Sequence, residues 1–255
     1  MARDVLPDLS DQVVLITGAG RGLGRSGALH LARCGAVVGV ADIDGPGAEE
    51  TAVLVRQAGG QAHAFAADLS GQSAFEAVAA DFADRCGRID AVVNNAAVLF
   101  YEPVESVMEA TVDRMFGGGF KSAVWGCQAV LRHMRPDVGG AIVNMSSPVV
   151  NRGYPGTVIY SAVKSAVTSL TRTLAAELGP RKVRVNAVSP ASVPTPGGIG
   201  LNDPAVYEQR AKTIPLRRLG RESDNDRAIA FLLSNDAEFI TGHVLAVDGG
   251  VSASA

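Results

Sequence analysis

The stretch TGAGRGLG, Thr17–Gly24, decides the fold. It follows Val13–Thr17, an apolar, β-branched run that reads as a strand. It opens Leu23–Cys34, which reads as a helix stopped by Gly35. A glycine-rich turn between strand and helix brings the backbone close to a ligand. It also aims free N–H groups of the helix N-terminus at a pyrophosphate. The strict pattern G-x-G-x-x-G does not fit. Counted from Gly18 its last position is Leu23, and counted from Gly20 it is Arg25. The stretch fits T-G-x-x-x-G-x-G through Gly18, Gly22 and Gly24, which meets the same physical requirement.

Working outward, short apolar strands alternate with helical stretches. Val37–Ala41, Ala62–Ala66, Ala91–Asn94, Ala141–Met145, Val183–Val188 and Val244–Val247 read as strands. Between them, Gly47–Gln57, a helix capped by Ser70 and running to Cys86, Ser106–His133 and Thr157–Leu178 read as helices. Strands apolar on both faces and joined by helices imply an α/β domain with a doubly wound parallel sheet of the Rossmann type. About seven strands, with helices on both faces, are expected in a single domain over 1–255. The region 190–215 is rich in Pro and Gly and is expected to be the substrate loop.

Composition narrows the function. The 255 residues are 47% hydrophobic and 19% charged, with a net charge of -3, and no basic stripe suggests nucleic acid. Cys34, Cys86 and Cys127 are odd in number and widely spaced, which argues against a disulfide frame or a zinc site. No metal is expected. The polar start MARDVLPDLSDQ does not read as a signal peptide, and no apolar run approaches the ~20 residues that span a bilayer. A soluble, cytoplasmic protein is expected.

The second strand ends at Asp42. A carboxylate there accepts hydrogen bonds from ribose hydroxyls and repels a 2′-phosphate, so NAD is expected over NADP, with Arg21 as a counterweight. Tyr160 and Lys164, in YSAVK, stand four residues apart on one helix face. An ammonium beside a phenol favours the phenolate, and the pair can exchange a proton with an alcohol or carbonyl oxygen. Ser147 lies 13 residues earlier, just beyond a strand end, where parallel sheets bind their ligands.

Jointly these motifs resemble the short-chain dehydrogenase/reductase family over nearly the whole chain. TGAGRGLG matches its cofactor loop, Asp68 in ADLS its adenine-contacting acid, and NNAA (Asn94–Ala97) its NNAG. Ser147, Tyr160 and Lys164 match its catalytic residues, and Thr195 in VPTP its carboxamide contact. RVNAVSP and TGHVLAVDGG match the segments around the last two strands. The resemblance implies that Ser147 holds the substrate oxygen, Tyr160 transfers its proton, and Lys164 holds the nicotinamide ribose. It implies dinucleotide contacts at Gly18, Arg21, Gly22, Leu23, Gly24, Asp42, Asp68, Leu69, Asn94, Ala96, Tyr160, Lys164, Pro190, Val193 and Thr195. The implied activity is hydride exchange between NAD(H) and a secondary alcohol or ketone. A 3-oxoacyl-thioester reductase using NADP(H) is the alternative within the class. A catalytically impaired nucleotide-binding regulator is the alternative outside it.

Two positions depart from the family. Aligning CQAVLRHM (Cys127–Met134) puts its helix Asn at Gly119, inside the run Gly117–Gly119. One expectation is that the glycines keep a helix kink and serve the proton relay through backbone groups. The other is a damaged relay. Lys121 and Ser122 are the nearest polar side chains. The second departure is Ala191, where the family has Gly.

Pro148, Val149, Val150, Tyr154, Val193 and Ile199 are expected around the substrate, with Ser147, Val149, Tyr154 and Tyr160 as its contacts. Arg152 aside, no Arg stands at an anchoring position, so a neutral small-molecule substrate is expected. The resemblance implies a homodimer or homotetramer. Phe116, Phe120 and Trp125 serve either that packing or the core.

Overall fold

In the computed structural model, which describes residues 6–195 and 203–254, seven strands form one parallel sheet. They are β1 (Val13–Thr17), β2 (Val37–Asp42), β3 (Gln61–Ala66), β4 (Ala91–Asn94), β5 (Gly140–Met145), β6 (Val183–Pro190) and β7 (Val244–Val247), and their order is β3-β2-β1-β4-β5-β6-β7. The order reverses between β1 and β4, so loops from neighbouring strands part there and leave a crevice.

Every residue of β1 is buried, because helices cover both faces of the sheet. On one side Val14 and Ile16 join a core with Leu31 of α1 (Gly22–Arg33), Ala52 of α2 (Gly45–Gln57) and Ile229 of α8 (Glu222–Leu233). On the other, Val13 and Leu15 join Phe75 and Phe82 of α3 (Gln72–Cys86), Cys127 of α5 (Ser122–Val130) and Leu178 of α6 (Val158–Leu178). Two dry layers around one sheet explain the unbroken apolar strands.

The expected helix 106–133 is three pieces. α4 (Glu109–Met115) runs into a π-helical turn, Phe116–Lys121, and then α5. The Ser122 N–H donates to the Gly117 carbonyl, five residues back, which widens the helix at this point. The glycines are needed for contact. A Cβ on Gly118 would lie 2.7 Å from Val98 Cγ2, and one on Gly119 would lie 2.6 Å from Val163 Cγ1. Trp125 packs on the second core, and its Nε1–H donates to the Ser70 carbonyl at 3.2 Å. Phe116 and Phe120 meet edge-on.

Ser70 is not a helix cap. α3 begins at Gln72 with Gly71 at its N-cap and no side-chain bond. Part of the expected loop 190–215 is helical: α7, Pro204–Thr213, starts where Asp203 Oδ1 accepts from the Ala205 N–H at 2.8 Å. Positions 196–202 of that loop, including Ile199, lie outside the described residues.

Candidate active site

The crevice opens on the glycine turn. Gly18 and Gly22 hold φ values of 63° and 55°, which favour glycine. A Cβ on Gly24 would sit 2.2 Å from the Gly18 carbonyl oxygen. The turn is fastened from β4. The Asn95 amide donates to the carbonyls of Thr17 (2.9 Å) and Gly18 (3.0 Å). The N–H groups of Asn95 and Ala96 donate to Thr17 Oγ1. α1 starts with no side-chain cap and no acidic residue in its first turn, so its N–H groups are open to a pyrophosphate. The residues present therefore form a cradle that fits a dinucleotide.

Asn94 does not face this cradle. Its side chain is buried in the sheet and donates to Asn144 Oδ1 at 2.8 Å, toward α5. Neighbouring residues of a strand point to opposite faces, and Asn95 is the one that reaches the crevice. The remaining expected dinucleotide residues all line the cleft: Gly18, Arg21, Gly22, Leu23, Gly24, Asp42, Asp68, Leu69, Ala96, Tyr160, Lys164, Pro190, Val193 and Thr195. Ala191 lines it too and has no positive φ, so its methyl costs no backbone strain.

Asp42 is positioned by the backbone. Its two carboxylate oxygens accept from the N–H groups of Gly20 (2.8 Å) and Asp44 (2.9 Å). A carboxylate has capacity for about four hydrogen bonds, which leaves room for hydroxyl donors. Arg25 is already engaged with Gly20, Thr51 and Glu50, so Arg21 is the loop's available cation. Asp68 accepts from the Ser70 N–H at 3.0 Å.

Ser147 follows β5, and Tyr160 and Lys164 occupy the first turns of α6. All three face the same cleft. Burial, with Tyr101 beside it, pushes the Tyr160 phenol well above its ordinary value, and a hydrogen bond with Ser147 pulls it back. The phenol faces an open cleft, where water offsets part of that rise. The Lys164 ammonium lies 5.8 Å from the Tyr160 ring centroid. Lys164 Nζ donates to the Met145 carbonyl at 2.6 Å, and burial lowers the lysine to about 8. Both shifts come from removing charge from water.

The cleft has a volume of about 1140 Å³. Of the residues expected around the substrate, Pro148, Val149, Tyr154 and Val193 line it, and Val150 does not. Ser122 lines it and is buried, whereas Lys121 is exposed. The sequence reading missed Tyr101, whose ring meets Tyr160 edge-on with centroids 5.6 Å apart. It also missed the arginines. Arg114 and Arg210 stand on the wall with Arg152.

Comparison with known proteins agrees with this geometry. The family model described as enoyl-(acyl carrier protein) reductase matches residues 18–252. A cyclopentanol dehydrogenase of Comamonas sp. (strain NCIMB 9872) is 34% identical over 96% of this chain and 99% of its own. A solved structure from Sinorhizobium meliloti 1021, described as a short-chain alcohol dehydrogenase, superposes with a TM-score of 0.93. It is 38% identical, over 97% of this chain and 99% of its own. A 7α-hydroxysteroid dehydrogenase, complexed with NADH and 7-oxo glycochenodeoxycholic acid, gives 0.92 at 30% identity and covers 95% of each chain. Among the described residues, no helix is long and apolar enough to cross a membrane.

Proposed function

Because the chain belongs to the short-chain dehydrogenase/reductase family, nicotinamide-dependent oxidoreductases acting on CH–OH groups, we propose that it is an NAD-dependent dehydrogenase of a secondary alcohol, with Tyr160 as its proton-transfer group. The observation that carries this is the convergence of Ser147, Tyr160 and Lys164 on one cleft with the glycine turn and Asp42. When bound, the dinucleotide supplies the hydride acceptor or donor.

The chain's own residues do the rest. The Ser147 hydroxyl fixes the substrate oxygen by a hydrogen bond. In reduction, Tyr160 gives its proton to that oxygen as the carbonyl becomes an alcohol. In oxidation the phenolate takes the alcohol proton, so a raised phenol slows oxidation at neutral pH and makes its rate climb with pH. Lys164 orients the ribose and favours the phenolate while it is charged. The π-helical turn offers backbone groups where the family has an Asn side chain, and we assign the relay to them.

Preference for NAD follows from Asp42, whose carboxylate keeps acceptor capacity for ribose hydroxyls, and from the engagement of Arg25 elsewhere. Residues 190–193 and Tyr207 and Arg210 of α7 border the cleft where the substrate would sit, and a homodimer or homotetramer is the expected assembly. Free cysteines fit a cytoplasmic setting. Coenzyme kinetics test the assignment. The NAD-to-NADP ratio of kcat/KM should exceed about tenfold, one strong hydrogen bond's worth, and should drop in Asp42→Ala. A wild-type preference for NADP would defeat the NAD half of the proposal.

A further inference from the structure

We propose that the substrate carries an anionic group, a carboxylate or a sulfonate, held by Arg210 on the cleft wall. This rests on the dehydrogenase function above and names its substrate class. Besides Arg21 of the glycine turn, three arginines line the cleft, Arg114, Arg152 and Arg210, and none of these forms an ion pair with an acidic side chain among the described residues. Arg25, Arg56, Arg85, Arg88, Arg132, Arg135 and Arg218 all pair with Asp or Glu. Among the described residues, the acids that line the cleft are Asp42, the last residue of β2, and Asp68, which follows β3, both at the dinucleotide end. Positions 196–202, PGGIGLN, contain no acid. Among the described residues, the lining away from Asp42 and Asp68 therefore holds Lys164 and three guanidinium groups and no carboxylate.

Arg210 is the anchor because it is the one held in place beside the reacting groups. It is partly buried on α7, whereas Arg114 and Arg152 are exposed. Its Nη1 donates to Ser192 Oγ at 3.3 Å, and its guanidinium carbon lies 5.9 Å from the Tyr207 ring centroid. Its charge acts on the Tyr101 phenol, drawing it down against burial, and Tyr101 is the ring that meets Tyr160. One aromatic ring thus separates a fixed cation from the proton-transfer group. A guanidinium has five N–H donors in a planar fork, matched to a head group with two or three oxygens. Arg152, over Tyr154, and Arg114, over Phe100, add attraction at longer range.

The test compares 4-oxocyclohexanecarboxylate with its methyl ester as substrates in NADH oxidation. The acid should be preferred about tenfold or more in kcat/KM, mostly through KM, as charge-assisted hydrogen bonds are worth. Arg210→Met should remove most of that preference, and Arg210→Lys should keep part of it. An acid-to-ester ratio near one, or a ratio unchanged in Arg210→Met, overturns the proposal. If Arg210 serves the dinucleotide instead, Arg210→Met weakens NADH binding and slows both ketones alike, which also overturns it. A binding arm does not need turnover. Cyclohexanecarboxylate and cyclohexanesulfonate are titrated into the NADH-loaded protein against cyclohexanecarboxamide. An anion should bind about tenfold tighter than the amide and lose this in Arg210→Met, and the stronger of the two anions identifies the head group. Equal binding of anions and amide refutes the proposal. Failure of the dehydrogenase function is seen separately, as turnover that survives Tyr160→Phe.

Discussion

Replacing Asp226 with Asn should remove a pH-dependent weakness from the fold. Asp226 lies on α8, buried against α1, where Ser26 Oγ donates to its Oδ2 at 2.6 Å and its Oδ1 has no partner. Burial raises the carboxyl from 3.8 to about 7, Glu222 adds to this, and Ser26 and Arg227 work against it. In the unfolded chain the group ionises near 3.8, while in the folded protein it keeps its proton until about 7. Between those values the folded state binds more protons, so stability falls as pH rises and levels off above about 7. A gap of roughly three pK units corresponds to at most about 4 kcal/mol. Asn keeps the acceptor for Ser26 and cannot ionise. Urea denaturation of both proteins at pH 4, 5, 6, 7 and 8 measures the difference directly, because all other groups cancel. The two should be alike near pH 4, with Asp226→Asn gaining up to about 4 kcal/mol by pH 8. Parallel curves would refute the claim that this carboxyl is held protonated by burial.

Gly24→Ala places a methyl 2.2 Å from the Gly18 carbonyl oxygen, and should weaken NADH binding more than tenfold in a fluorescence titration while far-UV circular dichroism is retained; unaltered binding would show that the turn is not the cradle. Gly119→Ala should cost about 1–3 kcal/mol in urea through its collision with Val163, and Gly119→Ala/Val163→Ala should recover part of that. A neutral Gly119→Ala would mean that the close approach to α6 is not what requires glycine. With Lys164 charged only below about 8, kcat/KM for ketone reduction should fall as pH rises through that value; a flat profile to pH 9.5 would remove the lysine charge from the mechanism.

The strands and the glycine turn were legible in the sequence because burial on both sides leaves an unbroken apolar run, and because a turn of that geometry excludes side chains. YSAVK was legible because helical spacing alone puts Tyr160 and Lys164 on one face. Asn94 was misread because strand alternation decides which of two adjacent amides faces the crevice, and the register is not visible in NNAA. α7 was taken for loop because its exposed residues give no apolar period. Only its Asp-Pro start signals a helix. Three glycines announced an irregular turn between α4 and α5 but not its π geometry, which depends on contact with Val98 and Val163. Arg210 and Tyr101 meet only in the fold, through elements more than a hundred positions apart, so the cationic wall was out of reach of local pattern.

The measurement that bears most directly on the central claim is NADH formation from NAD with a panel of secondary alcohols, run for the wild type and for Tyr160→Phe. The account predicts turnover in the wild type and a loss of about a hundredfold or more in Tyr160→Phe, with NADH binding retained, since only the proton-transferring oxygen is removed. Turnover that persists in Tyr160→Phe would contradict it and take the proton transfer away from the Ser147–Tyr160–Lys164 cleft.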